Sequence, residues 1–173
     1  MSAEWVGGDG KIIRDYNGDG KWSAANIQQR YLEMAERLHI DSPRDLTPAM
    51  HEEQNRRWIY PVMEGVIKGI ETGDSACTHI GVEFIEEDQG FAFGAMLKSN
   101  TARALRRAKL TEDQIDRIRN RVAGMLVKGD VPHEYKEYAK LLRRLGVAAV
   151  RDSLEDRVNL DRPRVRRFYN YFL

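Results

Sequence analysis

Thr47-Pro48-Ala49-Met50-His51-Glu52-Glu53-Gln54-Asn55-Arg56-Arg57-Trp58-Ile59-Tyr60-Pro61 opens on a hydroxyl followed by proline. A hydroxyl can cap the first free amides of a helix, and proline suits the first turn, where its missing N–H has no partner to lose. The stretch reads as a helix that starts at Thr47 and runs to about Lys68. Pro61 kinks or breaks it, because proline removes one donor and clashes with the carbonyl four residues back. With this stretch helical, no segment shows sustained period-two alternation, and the whole chain reads as all-α. The only candidate strand is a short piece around Ile12-Ile13 or Trp22.

The flanking segments repeat the helical signal. Ile27, Tyr31, Met34, Ala35 and Leu38 recur at 3.6-type spacing from Ala24 to Leu38, and Pro43 lies just beyond. Ser75 to Glu87 presents Cys77, Ile80, Gly81, Phe84 and Ile85 on one face. After a turn at Asp88-Gln89-Gly90, a further helix spans Phe91 to about Arg107. Thr111-Glu112-Asp113-Gln114 is a capping-box pattern, in which hydroxyl and glutamine each satisfy an orphan amide, and it starts a helix that ends at Lys128. Pro132 to Leu145, Val147 to about Val158 and Pro163 to Phe172 complete the set. The expectation is a single domain of seven or eight helices, with residues 1–26 as an N-terminal segment and 27–173 as the helical body. A shift of 60 aligns Arg57, Val62, Lys68 and Gly69 with Arg117, Val122, Lys128 and Gly129. Such a match suits paired helical hairpins that resemble HEAT or armadillo arrays.

The chain has 173 residues, 42% apolar and 32% charged, a globular composition large enough for a real core. Its net charge of +1 hides an asymmetry: residues 1–100 carry 10 Lys/Arg against 17 Asp/Glu, and residues 101–173 carry 18 against 10. The basic half suggests an anionic partner, and mutual attraction of the two halves is the plainer alternative. The single cysteine, Cys77, excludes an intrachain disulfide and fits a reducing compartment. No apolar run approaches the ~20 residues that span a bilayer. The first residues show no signal-peptide pattern, so a cytoplasmic protein without a membrane partner is expected.

The segment with the most specific chemistry is Asp15-Tyr16-Asn17-Gly18-Asp19-Gly20-Lys21-Trp22-Ser23-Ala24-Ala25-Asn26. Oxygen donors fall at positions 1, 3, 5, 9 and 12, namely Asp15, Asn17, Asp19, Ser23 and Asn26. Lys21 at position 7 offers its carbonyl, and Gly20 permits the sharp turn. The segment resembles an EF-hand calcium loop, and more closely the half-loop of dockerin modules. The resemblance implies a calcium site on these six residues, and it covers only residues 15–26 and the start of the next helix. Asn26 stands where EF-hands place a bidentate glutamate, and Gly7 and Gly8 leave no room for a full entering helix. Both departures point to weak affinity and a structural ion, in the ~10⁻⁴–10⁻³ M range. The plain alternative is a metal-free turn, since Asn-Gly and Asp-Gly are also turn signals.

Three readings of function follow. The first is a non-catalytic helical protein that binds a protein partner or a second copy of itself, with calcium as a local structural ion. The second is a nucleic-acid binder using Arg103, Arg106, Arg107, Lys109, Arg117, Arg119, Arg121, Arg143, Arg144, Arg162, Arg164, Arg166 and Arg167, with Phe168, Tyr169, Tyr171 and Phe172 interleaved. Against it stand acidic residues scattered through the same half. The third is an enzyme or transition-metal site around His79, Glu83 and His51, with Glu52, Glu86 and Glu87 nearby in sequence. His39 and His133 fall at helix ends and read as structural, and Cys77 as a buried small residue. Nucleophile elbows, phosphate-binding glycine loops and paired-cysteine zinc motifs are absent from the sequence.

Overall fold

A computed structural model describes residues 3–88, 90 and 92–173. In chain order the elements are β1 (Ala3–Val6), β2 (Ile12–Asp15), a short 3₁₀ turn (Gly20–Trp22), α1 (Ala24–Arg37), β3 (Met50–Glu53), β4 (Arg56–Ile59), α2 (Met63–Glu71), α3 (Ser75–Glu87), α4 (Gly94–Leu105), α5 (Glu112–Lys128), α6 (Tyr135–Leu145), α7 (Ala148–Glu155) and α8 (Pro163–Phe172).

The protein is α-rich but not all-α: among the described residues 57% are helical and 9% lie in a four-stranded mixed sheet. The strand order is β1-β2-β4-β3, two antiparallel hairpins joined by a parallel β2–β4 pairing. The sheet takes the place of the helix expected over residues 47–60. From Met50 to Arg57 there is no apolar stripe at 3.6-type spacing, so a helix here would have no face to bury. As a strand, β4 pairs on both edges, with β2 on one side and β3 on the other. Gln54 takes the turn at φ 53°, and the Tyr60 amide closes the hairpin base on the Ala49 carbonyl at 2.9 Å. Thr47 caps nothing, because its hydroxyl and amide both donate to Asp45. Pro61 separates β4 from α2 instead of kinking a helix.

Helices form close to the remaining expected segments. Thr111 and Gln114 make the reciprocal capping box of α5, and Gly129 at φ 72° ends it. The expected turn and helix start at residues 89 and 91 lie outside the described residues; α4 begins at Gly94. The residues aligned by the shift of 60 match in part: Lys68 and Lys128 each lie in the last turn of a helix, but Arg57 is in a strand while Arg117 lies within α5, and Val62 precedes α2 while Val122 is mid-helix.

The core forms around α3, which packs against α1, α2, α4 and α5. Ile80, Phe84 and Ile85 on α3 are fully buried with Leu97, Leu105, Ile118, Tyr135 and Tyr138. α2 and α3 approach so closely that a Cβ on Gly69 would come within 2.8 Å of the Cys77 Cβ. The sheet is the opposite case. Of its residues only Ile13 is buried, at 7% exposure, and Trp5, Val6 and Met50 are open to solvent. Its order comes instead from its ladders and from a charged network on one face, where Lys11 and Arg57 both bind Glu52 and Arg57 also reaches Asp9 at 2.9 Å.

Candidate functional site

Residues 15–26 join β2 to α1, and several of their polar groups bond to the protein itself. Asp15 Oδ1 accepts from both the amide and the side-chain nitrogen of Asn17, each at 2.8 Å. Asn17 is buried, donates to the Tyr60 carbonyl at 3.2 Å, and accepts from the Val62 amide at 2.8 Å. One side chain thus fixes the junction between β4 and α2. The Lys21 carbonyl accepts from Arg30 at 3.1 Å, Ser23 caps α1 through the Asn26 amide at 3.3 Å, and the Asn26 side chain donates to the Gly20 carbonyl at 2.6 Å. As a calcium cage the set is therefore partly committed. Two of its oxygens, those of Asn17 and Lys21, already serve other elements, and two cations, Lys21 and Arg30, stand at its edge. The Asp15 and Asp19 carboxylates are the hard-donor chemistry that a calcium ion there would rest on.

The side of this loop that meets α3 is an ion-pair cluster. Glu83 pairs with Arg30, with Lys21 at 3.4 Å and with His79 at 3.3 Å. The hydrogen bond from His79, followed by the charges of Arg30 and Lys21, outweighs burial and holds the Glu83 carboxyl down at about 2. Glu87 receives Lys21 and the Trp22 indole N–H, the latter at 2.8 Å. Glu86 receives Arg117. His51 is remote from this chemistry: it lies in β3, stacked on Trp58 at 5.3 Å. Among the described residues, no three His, Cys, Asp or Glu side chains are grouped to hold a metal. Cys77 is buried, and burial pushes its thiol up, which keeps it from acting as a thiolate. His133 is exposed, and His39 follows α1 at φ 54°.

The basic half divides into two sets that the sequence does not distinguish. On α5 the arginines are occupied: Arg117 binds Glu86, Arg119 binds the Leu145 and Gly146 carbonyls at the end of α6, and Arg121 lies 3.2 Å from Asp88. On the neighbouring helices α4, α6 and α8 the pattern is different. α4 and α8 contain no Asp or Glu, and α6 contains only Glu137. Glu137 is 2% exposed and is ringed by Arg103, Arg106 and Lys140 at 3.2–3.4 Å. Glu134, just before α6, is 6% exposed and faces Lys98 at 3.7 Å. Every charge these helices show to solvent is consequently positive: Arg103, Lys136, Lys140, Arg143, Arg144, Arg164, Arg166 and Arg167.

The arrangement follows from the phase of α6. Tyr135, Tyr138, Leu141 and Leu142 form its buried stripe; Glu134 falls in phase with Tyr138 and Leu141, and Glu137, buried as well, falls at the stripe's edge. Lys136, Lys140, Arg143 and Arg144 lie on the opposite side. α8 is anchored beside it by Phe168 on Tyr135, edge to face at 4.8 Å, and by an Arg164 bond to the Pro132 carbonyl at 3.1 Å. Between α6 and α8 lies a cleft of about 370 Å³ with mainly apolar walls, lined by Lys136, Ala139, Lys140, Arg167, Phe168, Asn170 and Tyr171. The Arg143 guanidinium sits 4.7 Å from the Tyr171 ring centre. No helix among the described residues is long and apolar enough to cross a membrane. Comparison with protein families, curated proteins and solved structures returns no significant match to this chain.

Proposed function

We propose that this protein is a non-catalytic nucleic-acid binder that uses the solvent face of α4, α6 and α8. The observation that carries the reading is the uniform sign of that face. On this face the two carboxylates of the basic half, Glu134 and Glu137, are turned inward, where they meet Lys98, Arg103, Arg106 and Lys140, while Lys136, Arg143, Arg144, Arg166 and Arg167 stay outward; the exposed carboxylates of that half lie outside α4, α6 and α8. A row of cations at helical spacing suits a phosphate backbone, and each phosphate neutralised releases condensed counterions, which drives binding at low salt. The aromatic groups beside the row, Tyr171 above all, favour nucleic acid over a purely electrostatic partner such as an anionic vesicle.

The test is fluorescence anisotropy of a labelled oligonucleotide across a salt series. Binding should appear at ~50 mM salt and weaken to the ~10⁻⁴–10⁻⁶ M range of sequence-independent contacts at physiological salt, linearly in a log–log plot. The double variant Lys140→Glu/Arg143→Glu should lose about tenfold or more in affinity and flatten the salt slope by roughly 2. Arg56→Glu, in the sheet, should change neither. An absence of binding at ~50 mM salt, or binding to anionic vesicles without binding to oligonucleotides, would overturn the proposal.

A further inference from the structure

The cleft between α6 and α8 has a shape and lining that phosphate binding alone does not require. Its walls are Ala139, Phe168 and Tyr171, its rim carries Lys136, Lys140 and Arg167, and Asn170 adds an amide. Tyr171 is 38% exposed, yet its ring is held in place. Arg143 lies over it, and Phe172, buried at 5%, meets it edge to face at 5.9 Å. An exposed aromatic that is already ordered loses little freedom when something stacks on it. Given the nucleic-acid reading above, on which this inference rests, we infer that the cleft receives an unpaired nucleobase, so that the protein selects single strands over duplexes.

The chemistry of each wall matches that occupant. A base offers a flat apolar face to Tyr171 and Phe168, and stacking of this kind tolerates any base because every base has a π-face. The Asn170 amide carries both a donor and an acceptor and suits a base edge. Lys136, Lys140 and Arg167 surround the opening, where the phosphates flanking an inserted base would lie. A base inside a duplex is already stacked and paired and presents only its edge, so it cannot enter without being unstacked, which costs a few kcal/mol. The duplex retains the outer cation row and none of the cleft.

Three labelled probes separate this inference from the one it rests on: a single strand without self-complementarity, the blunt-ended duplex of that strand with its complement, and an abasic oligonucleotide of the same length. The single strand should bind about tenfold or more tightly than either of the others. Tyr171→Ala should bring the single strand down to the level of the duplex and leave duplex affinity and salt slope as they were. Tyr171→Phe should keep the preference. Thermal unfolding of both variants checks that α8 remains docked, and Asn170→Ala, which alters the rim without touching the aromatic walls, should weaken the single strand alone. Equal binding of all three probes by the parent protein overturns the base pocket and leaves the phosphate face standing. So does a Tyr171→Ala variant that stays folded and loses all three probes equally. Binding of none of the probes overturns both proposals.

Discussion

Two charged regions of this molecule use the same residue types in opposite ways. Where α3 meets the loop and α5, cations and carboxylates face each other: Lys21 and Arg30 on Glu83 and Glu87, Arg117 on Glu86. Across α6 and α8 the carboxylates are inside and the cations outside. The first arrangement cancels itself and fixes the position of an element. The second leaves a field that an outside partner can neutralise. Net charge counted along the chain does not distinguish the two, because burial decides which charges remain available. Exposed ion pairs contribute little to stability, so within the paired region folding energy is expected mainly from the sheltered Arg30–Glu83 pair, with side chains 21% and 19% exposed, and the other pairs act chiefly to locate the elements.

The sharpest way to break this division is at Trp22. It is 2% exposed, meets Phe84 edge to face at 5.1 Å, and lies under the Arg30 guanidinium at 4.9 Å. Trp22→Ala should cost ~3–5 kcal/mol, read as a fall in the urea midpoint at unchanged slope. Oligonucleotide affinity of the folded fraction should not move. A folded Trp22→Ala protein with weakened binding would show that the paired region belongs to the binding surface after all.

A smaller effect is expected at Asn17. Asn17→Ala leaves the Val62 amide and the Tyr60 carbonyl without their partner, at a cost of ~1–3 kcal/mol. Asn17→Asp loses the donor to Tyr60 and sets a carboxylate against that carbonyl, so it too should destabilise the calcium-free protein. Calcium binding by the loop remains a separate proposal, resting on Asp15 and Asp19. Its signature is a rise in melting temperature at ~10⁻⁴–10⁻³ M calcium that Asp19→Ala abolishes and Asn17→Asp enlarges. If calcium leaves the melting temperature unchanged in all three proteins, the loop's role is the polar clasp alone.

Much of the helical body is legible in the sequence because its signals are local. The α5 capping box, the α3 stripe and the Pro163 start of α8 each lie within a few consecutive residues. The sheet is not legible for the converse reason. Its strands are four residues long and almost wholly unburied, so they show no in–out alternation, and the β2–β4 pairing joins Ile12 to Arg56 across more than forty residues. Thr47-Pro48 is a true helix-start pattern that tertiary pairing overrides. In the loop, the spacing of oxygens is readable, but the partner of Asn17 is not, since Tyr60 and Val62 lie just beyond the neighbouring strand β4, more than forty residues on in the chain. The binding face leaves one readable trace: Glu134 falls in phase with Tyr138 and Leu141, four and seven residues on, whereas Glu137 falls near the phase of the outward Arg144, so its burial is set by packing that the periodicity does not reveal.

The least perturbing test of the comparison is acid. The folded-state value of the Glu83 carboxyl, about 2, lies below its ordinary value of 4.5. A depressed carboxyl contributes stability that is fully present above pH 4.5 and is lost as pH falls through that value towards about 2. Protonation of Glu83 removes the charge on which this part of the cluster converges. Other carboxylates titrate in the same window, and the informative quantity is the difference between the parent and Glu83→Gln. At neutral pH the parent should be the more stable of the two, and the gap should close between pH 4.5 and about 2. Lys140→Glu/Arg143→Glu removes a partner of the buried Glu137 carboxylate and brings a stability loss of its own, so the parent–Glu83→Gln pair is the comparison that reads the α1–α3 cluster. A parent–Glu83→Gln gap that stays constant with pH would mean that the cluster holds α1 and α3 together by packing, with its charges as bystanders.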